Sequence, residues 1–350
     1  MTVTMVAAFP PPVGGAAVVS AAMRDRLHLA GAKVSVQNVG APRLHVKGVK
    51  YHLKRLGANL RALASVSAGG DTLYIVPDGG LGVLYSLAHV AVGHRRFRRL
   101  FIHHHTFRYI NHFSRAMSRL VSASPSARHI FLSEGMRDGF VKRYGNVESV
   151  VLDNSAFLEM SSPATEPTDT SELRLGHLSN LCAEKGFFEV ADAFDRIRSE
   201  GIDASLWLAG PVLEDEVQLR LQKLTDEHGD RLHYLGPLYG QDKTQFFASI
   251  DLFLFPTNFV QEAAPLVLYE SFAAGTPVIA YSRGCIPEMV QGDRGAVAPL
   301  GTSFADFVLK ELQSGLPIAK RRETIRQSMK AQADLSSARL GQLIQLMGRA

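Results

Sequence analysis

The feature that most constrains this chain is an alternation that runs along nearly its whole length. Short runs of apolar, strand-forming residues are separated by stretches of helical periodicity. VTMVAAF, KVSVQNV, TLYIVP, RLFIHHH, RHIFLS and SVVLDN are the runs of the first half; LRLGHLSN, SLWLAG, RLHYLG, DLFLFP and TPVIAYS are those of the second. A helix between two strands carries the chain back to the starting edge, so successive strands lie parallel with helices on both faces of the sheet. Two such series predict two doubly wound α/β domains, and 350 residues suit that number. FLEMSSPATEPTDTSE, between them, is rich in Ser, Thr, Pro and Glu and lacks either period, which is linker composition. The expected division is a first domain over 1–156, a linker over 157–172 and a second domain over 173–325. The helical pattern of 326–350 caps the second domain or crosses back onto the first.

In parallel sheets, ligands bind beyond the carboxyl ends of the strands. The segment QEAAPLVLYESFAAGTPVIAYSRGCIPE, from Gln261 to Glu288, follows such an end. Pro265 suits a first helical residue, since proline needs no amide there. The helix is expected from Leu266 to about Ala274, stopped by Gly275 with Pro277 just beyond. Glu262 then precedes a helix N-terminus and Glu270 lies one turn inside it. Free amides at such a terminus suit a phosphate. A carboxylate beside them can accept hydrogen bonds from sugar hydroxyls. The plainer alternative makes both acids partners of the helix dipole.

Glu-x7-Glu, followed by Gly-Thr-Pro-Val-Ile-Ala and then Pro-Glu, resembles the retaining glycosyltransferases of the GT-B fold, family 4 (glycosyl transferases group 1). The resemblance covers nearly the whole chain and is strongest over 173–290. It implies two facing doubly wound Rossmann-like domains with the active site in the cleft between them. It implies that Glu262 contacts the transferred sugar, that Glu270 holds the ribose, and that Leu266 and Val267 offer amides to the phosphates. Ala263 would shape the sugar subsite. LGHLSNLCAEKGF carries a second match, in which Lys185-Gly186 agree with the family and Lys185 would neutralise the leaving diphosphate. Asn180 stands where the family has arginine, which leaves one diphosphate cation missing or supplied elsewhere; Arg283 is a weak candidate.

The first domain is expected to supply the other wall. Gly14-Gly15 follow the first strand and permit close backbone approach at a helix N-terminus; in the family this loop covers the diphosphate and acceptor. His103-His104-His105 end a strand, and alternation puts His103 and His105 on one side. The resemblance places one of these two at the donor sugar. A metal reading would need further ligands and an orienting acid, and no acid lies at suitable spacing. Ser133-Glu134 and Asn154 also match family positions. The implied activity is sugar transfer from a nucleotide-diphosphate sugar to a hydroxyl acceptor, a glycan or lipid-linked glycan of the cell envelope, with retention. No metal or other cofactor is required, and the family's favoured account is front-face attack assisted by the departing phosphate oxygen. The rivals are a GT-B nucleotide-sugar epimerase and a non-catalytic sugar-nucleotide-binding protein. A nicotinamide dehydrogenase is disfavoured, because no Gly-x-Gly-x-x-Gly follows the first strand.

Charge is divided unevenly. Residues 1–150 hold 20 Lys+Arg against 6 Asp+Glu, net +14; the remaining residues hold 18 against 27, net −9. The basic half suggests an anionic partner. Lys47, Lys50, Lys54, Arg55 and Arg61 are interleaved with Val49, Leu53, Leu56, Leu60 and Leu63, and Arg95, Arg96, Arg98 and Arg99 surround Phe97. That pattern reads as an interfacial segment on an anionic membrane, or as the solvated face of an ordinary helix. Nucleic acid is disfavoured, since no stacking aromatics or known module accompany the charge. Only Cys182 and Cys285 are present, so no disulfide framework is indicated. With no signal-peptide pattern and no apolar run of about 18 residues, the expected place is the cytoplasm, peripherally at the inner membrane face.

Overall fold

The computed structural model describes residues 1–11, 14–40, 48–158, 172–314 and 318–348. Two compact units emerge: Met1–Phe157 with Ala333–Ala350, and Leu158–Gln332. Residues 159–171, the body of the expected linker, lie outside the described residues, as does Lys47.

The first unit holds β1 (Thr2–Ala7), β2 (Lys33–Asn38), β3 (Gly70–Ile75), β4 (Phe97–His103), β5 (Arg128–Phe131) and β6 (Glu148–Val151). They form one parallel sheet in the order β2-β1-β3-β4-β5-β6. Val3 stands opposite Val34 on one side and Thr72 on the other. Alternate β1 residues Val3, Met5 and Ala7 pack with Met23 and Leu27 of the helix Gly15–Leu29. The same core takes in Leu340, Leu343 and Met347 of the long helix Ile318–Gly348, whose spacing keeps them on one face. Thr72 Oγ1 donates to the Met347 carbonyl at 2.8 Å, and Ser336 Oγ to Asp153 at 2.7 Å. The N-terminal part of that helix belongs to the second unit, where Arg322 binds the carbonyl of Ala248 and the carboxylate of Asp251.

The second unit repeats the plan with β7 (Leu173–Leu178), β8 (Ala204–Ala209), β9 (Leu232–Tyr234), β10 (Leu252–Phe255), β11 (Val278–Tyr281) and β12 (Gly295–Ala298). The order is β12-β11-β10-β7-β8-β9, again all parallel. All four residues of β10 and of β11 are buried, as central strands covered on both faces require. Strand β12 was not anticipated, because Gly-Ala-Val-Ala is short, small-chained and only half buried.

Each sheet has one place where the strand order reverses, between β1 and β3 in the first and between β7 and β10 in the second. Loops leaving the carboxyl ends of such a pair diverge and leave room for a ligand. Gly14-Gly15 lie on the loop after β1; Asn180 and Lys185 follow β7, and Glu262 follows β10.

Three expectations need correction. Phe97 opens β4 with its ring buried, so it is core and not part of an interfacial face. Arg55 turns inward, pairing with Asp78 and lying 5.8 Å from the centre of the Tyr85 ring. Pro265 is the residue before the first helical one, with an extended ψ of 127° and the helix running Leu266–Ala273.

Candidate active site

The loops after β7 and β10 are packed against each other. The Asn258 amide donates to the Glu184 carbonyl at 2.9 Å, and its side-chain amide to Glu189 at 2.5 Å. Gly186 has φ +84°, and a Cβ there would lie 2.1 Å from the Pro256 carbonyl oxygen, so only glycine fits. It also starts the helix Phe187–Ser199. The Lys-Gly pair thus places a lysine at the point where the two loops touch.

Lys185 Nζ lies 2.6 Å from Glu262 Oε2 and 4.5 Å from the centre of the Phe259 ring. Thr257 Oγ1, buried at the end of β10, donates to the same carboxylate oxygen at 3.3 Å. The loop after β11 closes on the other side of Glu262. The Cys285 amide donates to the Ala263 carbonyl at 2.8 Å, and a Cβ on Gly284 would lie 2.5 Å from the Glu262 and Ala263 carbonyl oxygens. Ala263 is buried beneath this contact. Arg283, on that loop, has a buried Nε that meets no hydrogen-bond acceptor among the described residues.

From Pro265 the chain enters the helix Leu266–Ala273, whose first amides have no carbonyl one turn behind them. Leu266 and Val267 occupy those positions. Glu270 follows one turn later, with Lys243 Nζ 2.5 Å from its Oε2. That oxygen is buried and accepts no aligned hydrogen bond among the described residues. Asn180 is exposed just past β7. Beneath it His177, fully buried, donates from Nδ1 to the Leu254 carbonyl at 2.8 Å and meets Ser179 Oγ at 2.8 Å through Nε2. Burial holds the ring neutral, with its pKa lowered to about 4. The structure therefore brings Glu262, Lys185, Ala263, Leu266, Val267 and Glu270 into one region. Lys243, Thr257 and His177 escaped the sequence reading, since nothing in their spacing links them to it.

In the first unit, Gly14 and Gly15 are exposed at the start of their helix. No side chain caps that terminus, no acid lies in its first turn, and a Cβ on either glycine would meet nothing within 4 Å. His103 and His105 do share a side, their ring centres 4.1 Å apart. Tyr74, fully buried, meets His103 Nδ1 at 2.6 Å. Burial raises the Tyr74 pKa, so its hydroxyl keeps the proton and donates it, leaving His103 Nε2 as the N–H. The Nε2 atoms of His103 and His105 are buried and find no partner among the described residues. His104 faces the other way, into a stack with His129 and Phe131, and bonds Tyr109 and His129. Ser133 caps its helix by accepting the Met136 amide at 3.1 Å, and Asn154 is buried.

One group elsewhere has metal-ligand types: Asp195, Glu227 and His228 hold their ligand atoms within 4.8 Å of one another. Arg220 already pairs with Asp195 and Glu227, Lys223 with Glu227, and His228 bonds Asp195, so these ligand atoms already have partners within the protein.

Residues 172–314 match the family described as Glycosyl transferases group 1. Over 147 residues the chain is 36% identical to the N-acetyl-alpha-D-glucosaminyl L-malate synthase of Bacillus anthracis; the match takes in 41% of this chain but only 37% of that relative. Anabaena HepE, solved with UDP-glucose, superposes with a TM-score of 0.69 at 18% identity, over 99% of both chains. The sucrose-phosphate synthase of Thermosynechococcus elongatus gives 0.71 at 15%, over 99% of this chain and 98% of that one. The chain has the GT-B glycosyltransferase fold. Over residues 172–314 it is similar to the group 1 glycosyl transferases.

Proposed function

We propose that this chain is a retaining glycosyltransferase of family 4, moving a sugar from a nucleoside-diphosphate sugar to a hydroxyl acceptor. The observation that carries the reading is the Lys185–Glu262 pair at the strand-order reversal, on the loop that leads into the helix starting at Leu266, with Glu270 one turn inside that helix. HepE, solved with UDP-glucose, supports a donor of that class. In this reading Glu262 accepts hydroxyls of the transferred sugar and Glu270 those of the ribose. The amides of Leu266 and Val267 receive the phosphates. Lys185 passes from Glu262 to the diphosphate as the donor binds, so a fixed cation stands there, in place of a metal ion, before negative charge develops. Within the first unit, Gly14 and Gly15 offer open helix-start amides to a ligand, and one of His103 and His105 a neutral N–H donor. Ligand-induced stabilisation with UDP, GDP, ADP and their sugars tests the donor class, and one base is expected to raise the melting temperature.

The acceptor is proposed to be a glycan or lipid-linked glycan at an anionic membrane. No described helix is long and apolar enough to cross a membrane. The helix Val49–Ala68 instead offers a surface ridge. Val49, Leu53, Leu56 and Leu60 are 74%, 62%, 41% and 57% exposed. At 3.6 residues per turn they fall within an arc of about 60°. Lys50, Lys54 and Arg61 are exposed in a row beside them, and the helix contains no acid. Asn59, Ala62 and Val66 face the core. An apolar ridge edged by cations suits an anionic lipid surface, each cation adding about 1 kcal/mol. The protein should float with vesicles containing phosphatidylglycerol and not with neutral ones, and Leu53→Glu with Leu60→Glu should abolish flotation. Equal behaviour on both vesicle types would remove the membrane from the account.

A further inference from the structure

The donor site contains two acid–lysine pairs of the same kind. Lys185 covers Glu262 at 2.6 Å, and Lys243 covers Glu270 at 2.5 Å. Only the first lysine has a role above. Lys243 is the fourth residue of the helix Gly240–Ser249, at the end where a positive charge opposes the helix dipole. Its place is therefore poor for its own helix and good for Glu270.

Side chains on a helix lean toward its N-terminus. The Glu270 carboxylate thus tilts back toward the turn containing Leu266 and Val267, residues that precede it by about one turn, ~5 Å along the helix axis, and it carries the Lys243 ammonium with it. A nucleoside diphosphate brings hydroxyls, which donate to carboxylates, and phosphate oxygens, which accept from ammonium groups. Its arrival allows an exchange of partners at both pairs. Asn180, exposed at the end of β7, brings no charge to that exchange.

We propose that Lys243 is the second diphosphate cation of this site, held on Glu270 until the nucleotide takes over the carboxylate with its ribose and the ammonium with its phosphates. The proposal rests on the donor-binding reading above. It leaves neither acid of the site bare: Glu270 holds the ammonium when the subsite is empty and the ribose hydroxyls when it is filled.

Calorimetric titration of the preferred nucleoside diphosphate, and competition by the matching nucleoside, test it in the wild type, Lys243→Met, Lys243→Arg and Arg283→Met. Lys243→Met should weaken the diphosphate about 10- to 100-fold, as expected for a lost charge-assisted bond. Nucleoside affinity should not fall, since a nucleoside brings no phosphate to the ammonium and its ribose meets a Glu270 already freed of Lys243. Lys243→Arg should recover most of the loss. If diphosphate and nucleoside weaken equally, Lys243 only orients Glu270 and the proposal fails. It fails equally if Lys243→Met binds like the wild type, or if the selective loss falls on Arg283→Met. A wild type that binds none of UDP, GDP and ADP would instead overturn the donor-binding reading itself.

Discussion

Lys185→Ala is expected to lower kcat by about 10²- to 10³-fold while leaving the fold intact, the effect of removing one preorganised group from a developing negative charge. The lysine is held by Glu262 and by the Phe259 ring, so its ammonium is already positioned before the donor binds. A group fixed in advance costs no reorganisation when the sugar–phosphate bond breaks. Removing it also leaves Glu262 with Thr257 as its remaining side-chain donor among the described residues, and an acid stripped of its cation destabilises the local structure. Lys185→Ala with Glu262→Ala separates the two effects. The double variant should regain the melting temperature lost in the single one and regain none of the rate. A loss of kcat below about fivefold, or a rate that returns with stability, would show that Lys185 serves only to hold Glu262.

Acid should unfold the first unit before the second. His103, His104, His105 and His129 cluster at the ends of β4 and β5, and burial lowers all four pKa values, to about 4 for His105 and His129. In the second unit His177 is the comparable case. These rings are neutral when folded and take up protons near 6.5 when unfolded. The unfolded state then binds more protons between pH 6.5 and 4, so stability is fully present above 6.5 and is lost as pH falls through that window. Each shift of this size is worth ~3 kcal/mol, and several together rival the whole stability of a domain. Trp207, the only tryptophan, lies on β8 and reports on the second unit alone. Far-UV circular dichroism should therefore begin to fall at a higher pH than the Trp207 emission changes. Coincident transitions, or a first unit that survives at pH 4, would contradict this ordering.

Periodicity made most of the architecture legible. DLFLFP and TPVIAYS are solid apolar runs, and they became the two buried strands flanking the site loops. Gly-Ala-Val-Ala was missed, because strand formation at that edge depends on pairing with β11 and not on its own side chains. Phe97 was misplaced for a related reason: arginines on both sides masked a strand that buries its first ring. Glu262, Glu270 and Lys185 were found through a linear motif. Lys243 and Thr257 carry no such mark, since they meet the acids only through the packing of separate loops and helices. The inward turn of Arg55 was equally invisible, as its partner Asp78 lies on another segment.

The central claim is that Glu270 grips the ribose of a nucleotide whose phosphates sit at the start of the Leu266 helix. Its most direct test is the melting temperature of the wild type and of Glu270→Ala with saturating UDP, GDP and ADP. At about 100 times the dissociation constant a ligand adds about 2.7 kcal/mol, a shift of a few degrees. The account predicts such a shift with one base in the wild type and most of it lost in Glu270→Ala. An equal shift in both proteins, or none with any nucleotide, would contradict it.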